Sequence, residues 1–592
     1  MKIVILAVLF CFNLSCMIAN AVEQIADPIF NFNAIFNDAL DARVLSSKEV
    51  KDELTRNVAV IIEEVEYTAE IYNGKPVRVY GILAYPKGFV DLPGVYWSQS
   101  GMYAASEYWA KVWAGKGYFC MHITLPHDVY NSFTRFTTER PKDGNLTHLA
   151  VAQMRGITYM TQRPEVDKDR IGIGGSSYGG FFASLIAGAD PRVKCGMSFF
   201  TTGQHRMGTV FPQFLALRTT DEVDIWSSTI DPAWRLRRKA VPFLWAVASN
   251  DSSVDLPASI QTYRDSIGDK RLAILPNWSH ALPENVDNEL IDWFDVYLMK
   301  IRKPYNQPSA MEVKTVNGRL AASWTWTGDN PVKKAVAVVA YGRARPWHDG
   351  WLFRYHYVLP APIHDNSAWV EIPAPEPGIE MLVYGNITDD RDVITSTAPV
   401  PVKTADLGIT HIAPLKLNTA LLTEFTSTEM LFFTRHGWPV EGTVDKEVYH
   451  NGNESLRIEA GKILSLKLGH IPEHGHALTL WLRTIQSAKV TVTVTSHNPG
   501  GWGSPIVDLL RREQPDDPTI TSKDLKAPVY SAEFETGPAW KPFYLDCPYN
   551  GMPIAGYTLT IAGDATCWVD TISFEPQWNT ATRRKIIIKE IR

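Results

Sequence analysis

Cysteine is scarce in this chain, with six in 592 residues. Cys11 and Cys16 fall in a segment expected to be removed, which leaves Cys120, Cys195, Cys547 and Cys567. Cysteines so widely spaced do not form the dense disulfide framework of a small secreted domain. Cys120 and Cys195 lie inside apolar, strand-like runs and are expected to be buried free thiols. Cys547 and Cys567 are the pair that an oxidising compartment could join. No Cys-x-x-Cys and no His-Glu-x-x-His occurs, so neither a metal nor any other cofactor is expected. Charge of one sign is missing too: 58 basic and 64 acidic residues leave a net charge of −6. Nucleic-acid binding would need a concentrated basic patch, so it is not expected. Past the first residues no run reaches the ~18 apolar residues of a membrane span. Internal repeats and low-complexity tracts are also absent.

What is present begins with a leader. Lys2 precedes the apolar run "IVILAVLFCFNL", and "ANA" at Ala19–Ala21 has the small-x-small form of a signal-peptidase site. Residues 1–21 are read as a signal peptide cleaved after Ala21, and the product as secreted or periplasmic. A lipoprotein reading at Cys16 is weaker, because Asn13 stands where an aliphatic residue is expected. The remaining length exceeds one hydrophobic core, since domains usually hold ~100–250 residues. From Val58 to Trp293, short apolar strands alternate with amphipathic helices. "VAVIIEEVEYTAEIY" and "KPVRVYGILAYP" read as antiparallel opening strands, and "LTHLAVAQMRGITYMTQ" as a helix capped by Asn145. This pattern predicts an α/β domain over 22–304, a mainly parallel sheet with helices on both faces. Helical spacing stops after Pro304. "RLAASWTWTG", "KAVAVVAYG" and "EMLVYGNIT" predict a β-sandwich over 305–410, and a second all-β region over 415–592 reads as a jelly roll. The basic tail "RRKIIIKEIR" is read as a terminal strand or frayed end. Nineteen tryptophans are many; most are expected to fill cores, and flat aromatic faces against sugar rings are the functional alternative.

The most informative stretch is "RIGIGGSSYGG", Arg170 to Gly180. A Gly-x-Ser-x-Gly match alone is weak, and its setting carries the inference. A strand leads in, Gly175 and Gly179 flank Ser177, and a helix rich in small residues leads out. A serine hydroxyl that must project from a sharp strand-to-helix turn needs glycines where side chains would collide with its neighbours. The helix N-terminus favours developing negative charge, and the Tyr178 N–H would face it. Two partners are expected at later strand ends, in the order acid then histidine. After "VPFLWAVAS" comes Asp251, with Asp255 the alternative deeper in the loop; after "RLAILPNWS" comes His280. His280 would take the serine proton and return it to the leaving group, and Asp251 would orient the imidazole. A second oxyanion donor is expected from the backbone of Ser100 or Gly101 in "SQSGM", beside Gln99 as a tentative substrate contact. The bland alternatives are a plain turn serine, a structural loop histidine and a helix-capping aspartate. His122, His127 and His205 are read as structural or substrate-contacting.

These residues resemble the α/β-hydrolase superfamily in its dienelactone-hydrolase, acetyl-xylan-esterase and prolyl-oligopeptidase-like branch. "PEVDKDRIGIGGSSYGGFFASLIAGADPRVKCGMSFF", "ASNDSSVDLP" and "LPNWSHAL" carry the resemblance, over roughly residues 55–300. It implies an eight-stranded, mostly parallel sheet, with Ser177 as nucleophile, Asp251 as acid and His280 as base. The usual His-Gly pair of the oxyanion loop reads Gln99-Ser100 here. The last region is similar in pattern to galactose-binding-like, carbohydrate-binding jelly rolls, with Trp502 and Trp540 as tentative stacking faces. The segment Gly203 to Lys239, with Trp226, is expected to cover the site and shape its pocket. The implied function is a secreted serine hydrolase of carboxylic esters, with esterified polysaccharides as a candidate substrate class. The alternatives are a prolyl-oligopeptidase-like peptidase, against which no propeller-sized segment precedes the domain, and a non-catalytic binding protein on a hydrolase fold.

Overall fold

The computed structural model describes residues 27–98, 104–130, 141–207, 219–249, 251, 254, 256–276, 291–341, 356–374, 380–409, 420–423, 441–450, 452–468, 476–497, 529–547 and 556–576. Residues 1–26, which include the expected leader, and the basic tail, Gln99, Ser100, Gly101, Asp255, His280 and Trp502 lie outside the described residues.

The first region is built on nine strands: β1 Arg43–Val50, β2 Val60–Tyr72, β3 Lys75–Pro86, β4 Leu92–Ser98, β5 Phe119–Ile123, β6 Val166–Ser176, β7 Val193–Phe199, β8 Phe243–Ala248 and β9 Lys270–Leu275. They lie in the order β1-β2-β3-β5-β4-β6-β7-β8-β9. The pairs β1/β2, β2/β3 and β3/β5 are antiparallel, and every pair from β5/β4 to β8/β9 is parallel. The expected sheet of eight strands is therefore corrected to nine. The addition is β1, whose exposed, mixed sequence "RVLSSKEV" carries no burial period for a reader of the sequence to find.

Among the described residues seven α-helices accompany the strands: α1 Phe32–Asn37, α2 Glu107–Ala114, α3 Asn145–Thr161, α4 Tyr178–Ala189, α5 Thr220–Ser227, α6 Pro232–Leu236 and α7 Leu256–Asp265, and a further helical stretch runs over 291–299. Helix α3 begins at Asn145 with Gly144 as its cap, one residue before the expected position. Side chains of α3, α4 and α7 pack with Ile171 and Ile173 on one face of the sheet. Trp113 of α2 packs with Phe294 and Leu298 on the other, so the strands are covered on both faces. That double cover is why β4 and β8 read as near-continuous apolar runs.

The next region is a sandwich of ten strands: β10 Gln307–Pro308, β11 Glu312–Val316, β12 Arg319–Thr327, β13 Val332–Tyr341, β14 His356–Pro360, β15 Ile363–His364, β16 Ser367–Glu371, β17 Glu380–Asp389, β18 Ile394–Ser396 and β19 Val400–Lys403. They form two five-stranded sheets. Strand β13 explains its own sequence. Ala335, Ala337 and Val339 point into the sandwich core against Trp324 and Trp326. Val336, Val338 and Ala340 point the other way and join the core of the α/β region. Both faces are buried, so "KAVAVVAYG" has no polar side to alternate with.

The last region pairs a six-stranded and a four-stranded sheet around a core of Leu478, Leu480, Val492, Leu559 and Ile561. Cys120, Cys195 and Cys567 are buried free thiols. The pairing of Cys547 with Cys567 is corrected. On the strand His476–Thr484, Cys547 stands opposite His476 and Cys567 opposite Thr484. Eight residues of strand separate them by ~26 Å, far beyond disulfide reach. Thiol titration of the denatured chain from Val22 onward is therefore expected to find all four cysteines reduced, and dithiothreitol to shift the thermal midpoint by less than about 1 °C, where losing a native disulfide would lower it well beyond that.

Candidate active site

The strand order reverses between β4 and β6. From β4 the chain crosses to β5 on one side, and from β6 to β7 on the other. Such a switch point opens a crevice at the carboxyl ends of the strands. Ser98 ends β4 there, opposite Gly175 of β6. Ser177 follows immediately and starts α4.

The turn is sharp. Ser177 has φ 55° and ψ −122°, a region that side chains rarely occupy. Holding a non-glycine residue there costs on the order of 1–3 kcal/mol, which surrounding structure must offset. The Ser177 N–H donates to the Phe199 carbonyl at 2.8 Å, and the Ser177 carbonyl accepts from Phe181 at 2.9 Å. Behind it, Phe181, Phe182, Leu185 and Ile186 bury α4 in the core. A Cβ on Gly175 would fall 2.6 Å from the backbone carbon and oxygen of Gly179 and 2.9 Å from the Ser98 carbonyl oxygen. Helix and strand can approach this closely only without that side chain. The Tyr178 N–H belongs to the first turn of α4, where no intrahelical carbonyl is available. Its ring is buried, stacked on His127 at 5.9 Å and edge-on to Phe182 at 4.8 Å. Burial raises the Tyr178 phenol above its ordinary range.

Asp251 follows β8 and is 1% exposed, with its Oδ1 accepting from the Val254 N–H at 3.0 Å. The strand ends are laced together. Ser177 bonds to Phe199 after β6, Phe200 donates to Ala246 at 3.0 Å after β7, and Ser249 donates to Leu275 at 3.0 Å after β8. The ends that carry Ser177, Asp251 and the segment leading to His280 are thus held in one row.

Other expected contacts lie elsewhere. Trp226 is 3% exposed, and its Nε1 donates to His205 Nδ1 at 3.0 Å. The expectation of a substrate-facing indole is corrected: the ring fills the core of the segment it was expected to shape. His205 Nδ1 accepts this bond, so Nε2 carries the proton and donates to the Thr202 carbonyl at 3.0 Å. Burial lowers the His205 pKa. In the last region Trp540 is half-buried, 5.9 Å from His450, which itself stacks on Trp481 at 3.6 Å. Sequence reasoning missed one pair. Ser98 Oγ donates to Gln153 Oε1 at 2.5 Å, with both residues buried and Ser98 immediately before Gln99 in the chain. Gln153 sits in a helical run with no motif around it, so only the packing of α3 on β4 reveals it. Among the described residues no three His, Cys, Asp or Glu side chains gather as a metal site would require.

Residues 147–280, which span Ser177, Asp251 and His280, match the prolyl oligopeptidase family. The region has an α/β-hydrolase fold. The match and the serine turn support a serine hydrolase as its coarse class. No curated protein matches the chain. Solved structures similar to this α/β-hydrolase region include an acetyl xylan esterase from Paenibacillus sp. R4, 20% identical over 45% of this chain and 92% of its own, with a TM-score of 0.37. A glucuronoyl esterase from Solibacter usitatus is 13% identical over 44% of this chain and 86% of its own, TM-score 0.34. An acylaminoacyl peptidase from Pyrococcus horikoshii is 13% identical over 42% of this chain and 49% of its own, TM-score 0.33.

Two outcomes follow. Gly175→Ala should destabilise the chain by about 2 kcal/mol or more, read from denaturant unfolding, because backbone and not a mobile side chain blocks the new methyl. The second concerns His122, which is fully buried in β5, with Nδ1 accepting from the Ser106 N–H at 3.3 Å. Burial pushes its pKa down to about 4 from 6.5. The unfolded chain binds this proton below pH 6.5, and the fold refuses it until about pH 4. Stability is therefore complete above pH 6.5 and falls as the pH drops toward 4, by up to about 3 kcal/mol from this residue. Unfolding of His122→Asn across that range should show a flatter acid limb than the parent.

Proposed function

We propose that the chain is a secreted serine hydrolase that cleaves carboxylic esters through Ser177, His280 and Asp251, with acyl groups on polysaccharides as its substrate class. The observation that carries this reading is the turn at Ser177. A serine is kept in a backbone conformation that disfavours it, at the switch point of the sheet and at the start of a buried helix. Strain of this kind persists where a hydroxyl must be presented, and a mere turn would gain stability from glycine. A buried carboxylate after β8 and a histidine after β9 supply the remaining partners in the order the chemistry needs.

In this reading, His280 takes the Ser177 Oγ proton as the oxygen attacks the acyl carbon. The tetrahedral oxyanion is held by the Tyr178 N–H and a backbone donor at Ser100 or Gly101, each worth ~2.7–4 kcal/mol. The proton then passes from His280 to the departing alkoxide. A water, deprotonated by the same imidazole, releases the acid and restores Ser177. Asp251 keeps the imidazole in the tautomer that presents its free nitrogen to the serine and stabilises it when charged. An alkoxide leaves with less help than an amine, which favours ester over peptide. The prolyl oligopeptidase match favours the second reading, a peptidase with the same three residues.

The chain from Val22 onward should release acid from a small acetyl ester, and Ser177→Ala and Ser177→Gly should both lose this activity. Ser177→Gly should at the same time gain about 1 kcal/mol of stability over Ser177→Ala, because glycine accepts the positive φ. Retained activity in either variant would make Ser177 a turn residue. Cleavage of peptidyl amides in preference to the ester would select the peptidase reading.

A further inference from the structure

We propose that the middle sandwich is a working part of the active site: Asn386 and Ser396 are positioning residues for the segment that carries His280. The proposal rests on the reading of His280 as the catalytic base.

Strand β9 ends the nine-strand order. An edge strand presents a row of unpaired N–H and C=O groups. Here the sandwich supplies partners through side chains. The Ile274 N–H donates to Ser396 Oγ at 2.8 Å. Asn386 Nδ2 donates to the Ile274 carbonyl at 2.9 Å. The Ser396 hydroxyl donates in turn to Asn386 Oδ1 at 2.7 Å, which closes a ring of three bonds. Both side chains are buried, at 4% and 3% exposure, so water does not compete for these bonds. Two side chains thus do at Ile274 what the backbone of a tenth strand would do.

The clip is reinforced on either side. Arg271 of β9, 1% exposed, donates from Nε to the Ile394 carbonyl at 2.9 Å, and its guanidinium lies 4.4 Å from the Tyr305 ring centre. Arg391, from the connection between β17 and β18, lies 4.7 Å from the same ring. It pairs with Asp389 and, at 3.3 Å, with Asp292. Burial raises the Asp292 carboxyl, and Arg391 opposes that rise. The stretch between Leu275 and Asp292 contains His280. Before it stands a strand clipped by Asn386 and Ser396, and after it Asp292, in the helical stretch 291–299, is paired with Arg391. Sandwich side chains therefore hold Ile274 and Asp292, described residues on either side of His280. A base displaced by about 1 Å loses up to ~100-fold in rate even when every catalytic group is present.

The test uses the chain from Val22 onward, with a small acetyl ester and with a fluorophosphonate that labels an activated serine. Ser396→Ala and Asn386→Leu remove parts of the clip; Ser396→Thr keeps the hydroxyl. The expected result is a fall in kcat of about 10- to 100-fold with KM within about twofold, and recovery in Ser396→Thr. Hydrogen exchange should quicken in peptides covering 270–292 while 166–189 keeps its protection. Unchanged kcat, or a KM change alone, would overturn the proposal, as would unchanged exchange over 270–292. If Asn386→Leu unfolds throughout, the Ser396→Ala and Ser396→Thr pair decides. A parent that is labelled but leaves the ester intact counts against the ester reading alone, and the labelling rate then replaces kcat. A parent that does neither removes the hydrolase reading, an outcome distinct from an active parent with unaffected variants.

Discussion

A single backbone constraint organises the first half of this protein. Strand β6 must turn into helix α4 within one residue, at a place where the sheet reverses its order. That turn forces Ser177 to a positive φ and leaves no room for a side chain at position 175. The cost is local and the compensation is not. The apolar flank of α4 is buried from Phe181 to Ala187, and the turn is tied to β7 through Phe199. Strand ends then follow in register, from Phe200 to Ala246 and from Ser249 to Leu275. The geometry of the candidate site is the edge of this laced row.

The second half is not merely appended. Strands β13 and β17 bury one face in their own sandwich and the other against the α/β region. A sheet held on both faces transmits position well, because close-packed interiors yield little. Polar contacts at the same boundary add direction to the apolar contact. Arg271 and Arg391 meet at Tyr305, and Asn386 and Ser396 meet at Ile274. Buried polar groups of this kind are costly unless each is satisfied, so they admit few alternative dockings.

Much of this was legible beforehand. The elbow was read from "RIGIGGSSYGG", since glycine spacing around a serine between a strand and a helix reports a steric need. The α/β pattern and the two all-β regions followed from hydrophobic period. What escaped had no local signature. Strand β1 is exposed along almost its whole length, so no period marks it. Trp226 looked like a pocket residue, and the partner that buries it, His205, lies 21 positions away. The separation of Cys547 from Cys567 depends on which residues of a third strand each faces.

The sequence by itself determined which residues are candidates, Ser177, Asp251 and His280 in that order, and the run "KAVAVVAYG" as a strand. Those properties depend on residue type and on neighbours a few positions away. Only the tertiary structure decided that this strand is buried on both sides, and that Asn386 and Ser396 close the edge of a sheet more than a hundred residues earlier. An asparagine and a serine in a β-rich region read as ordinary polar residues. Their meaning comes from a backbone N–H and C=O that the chain brings to them, and no local pattern encodes a hydrogen bond whose two partners are so far apart in sequence.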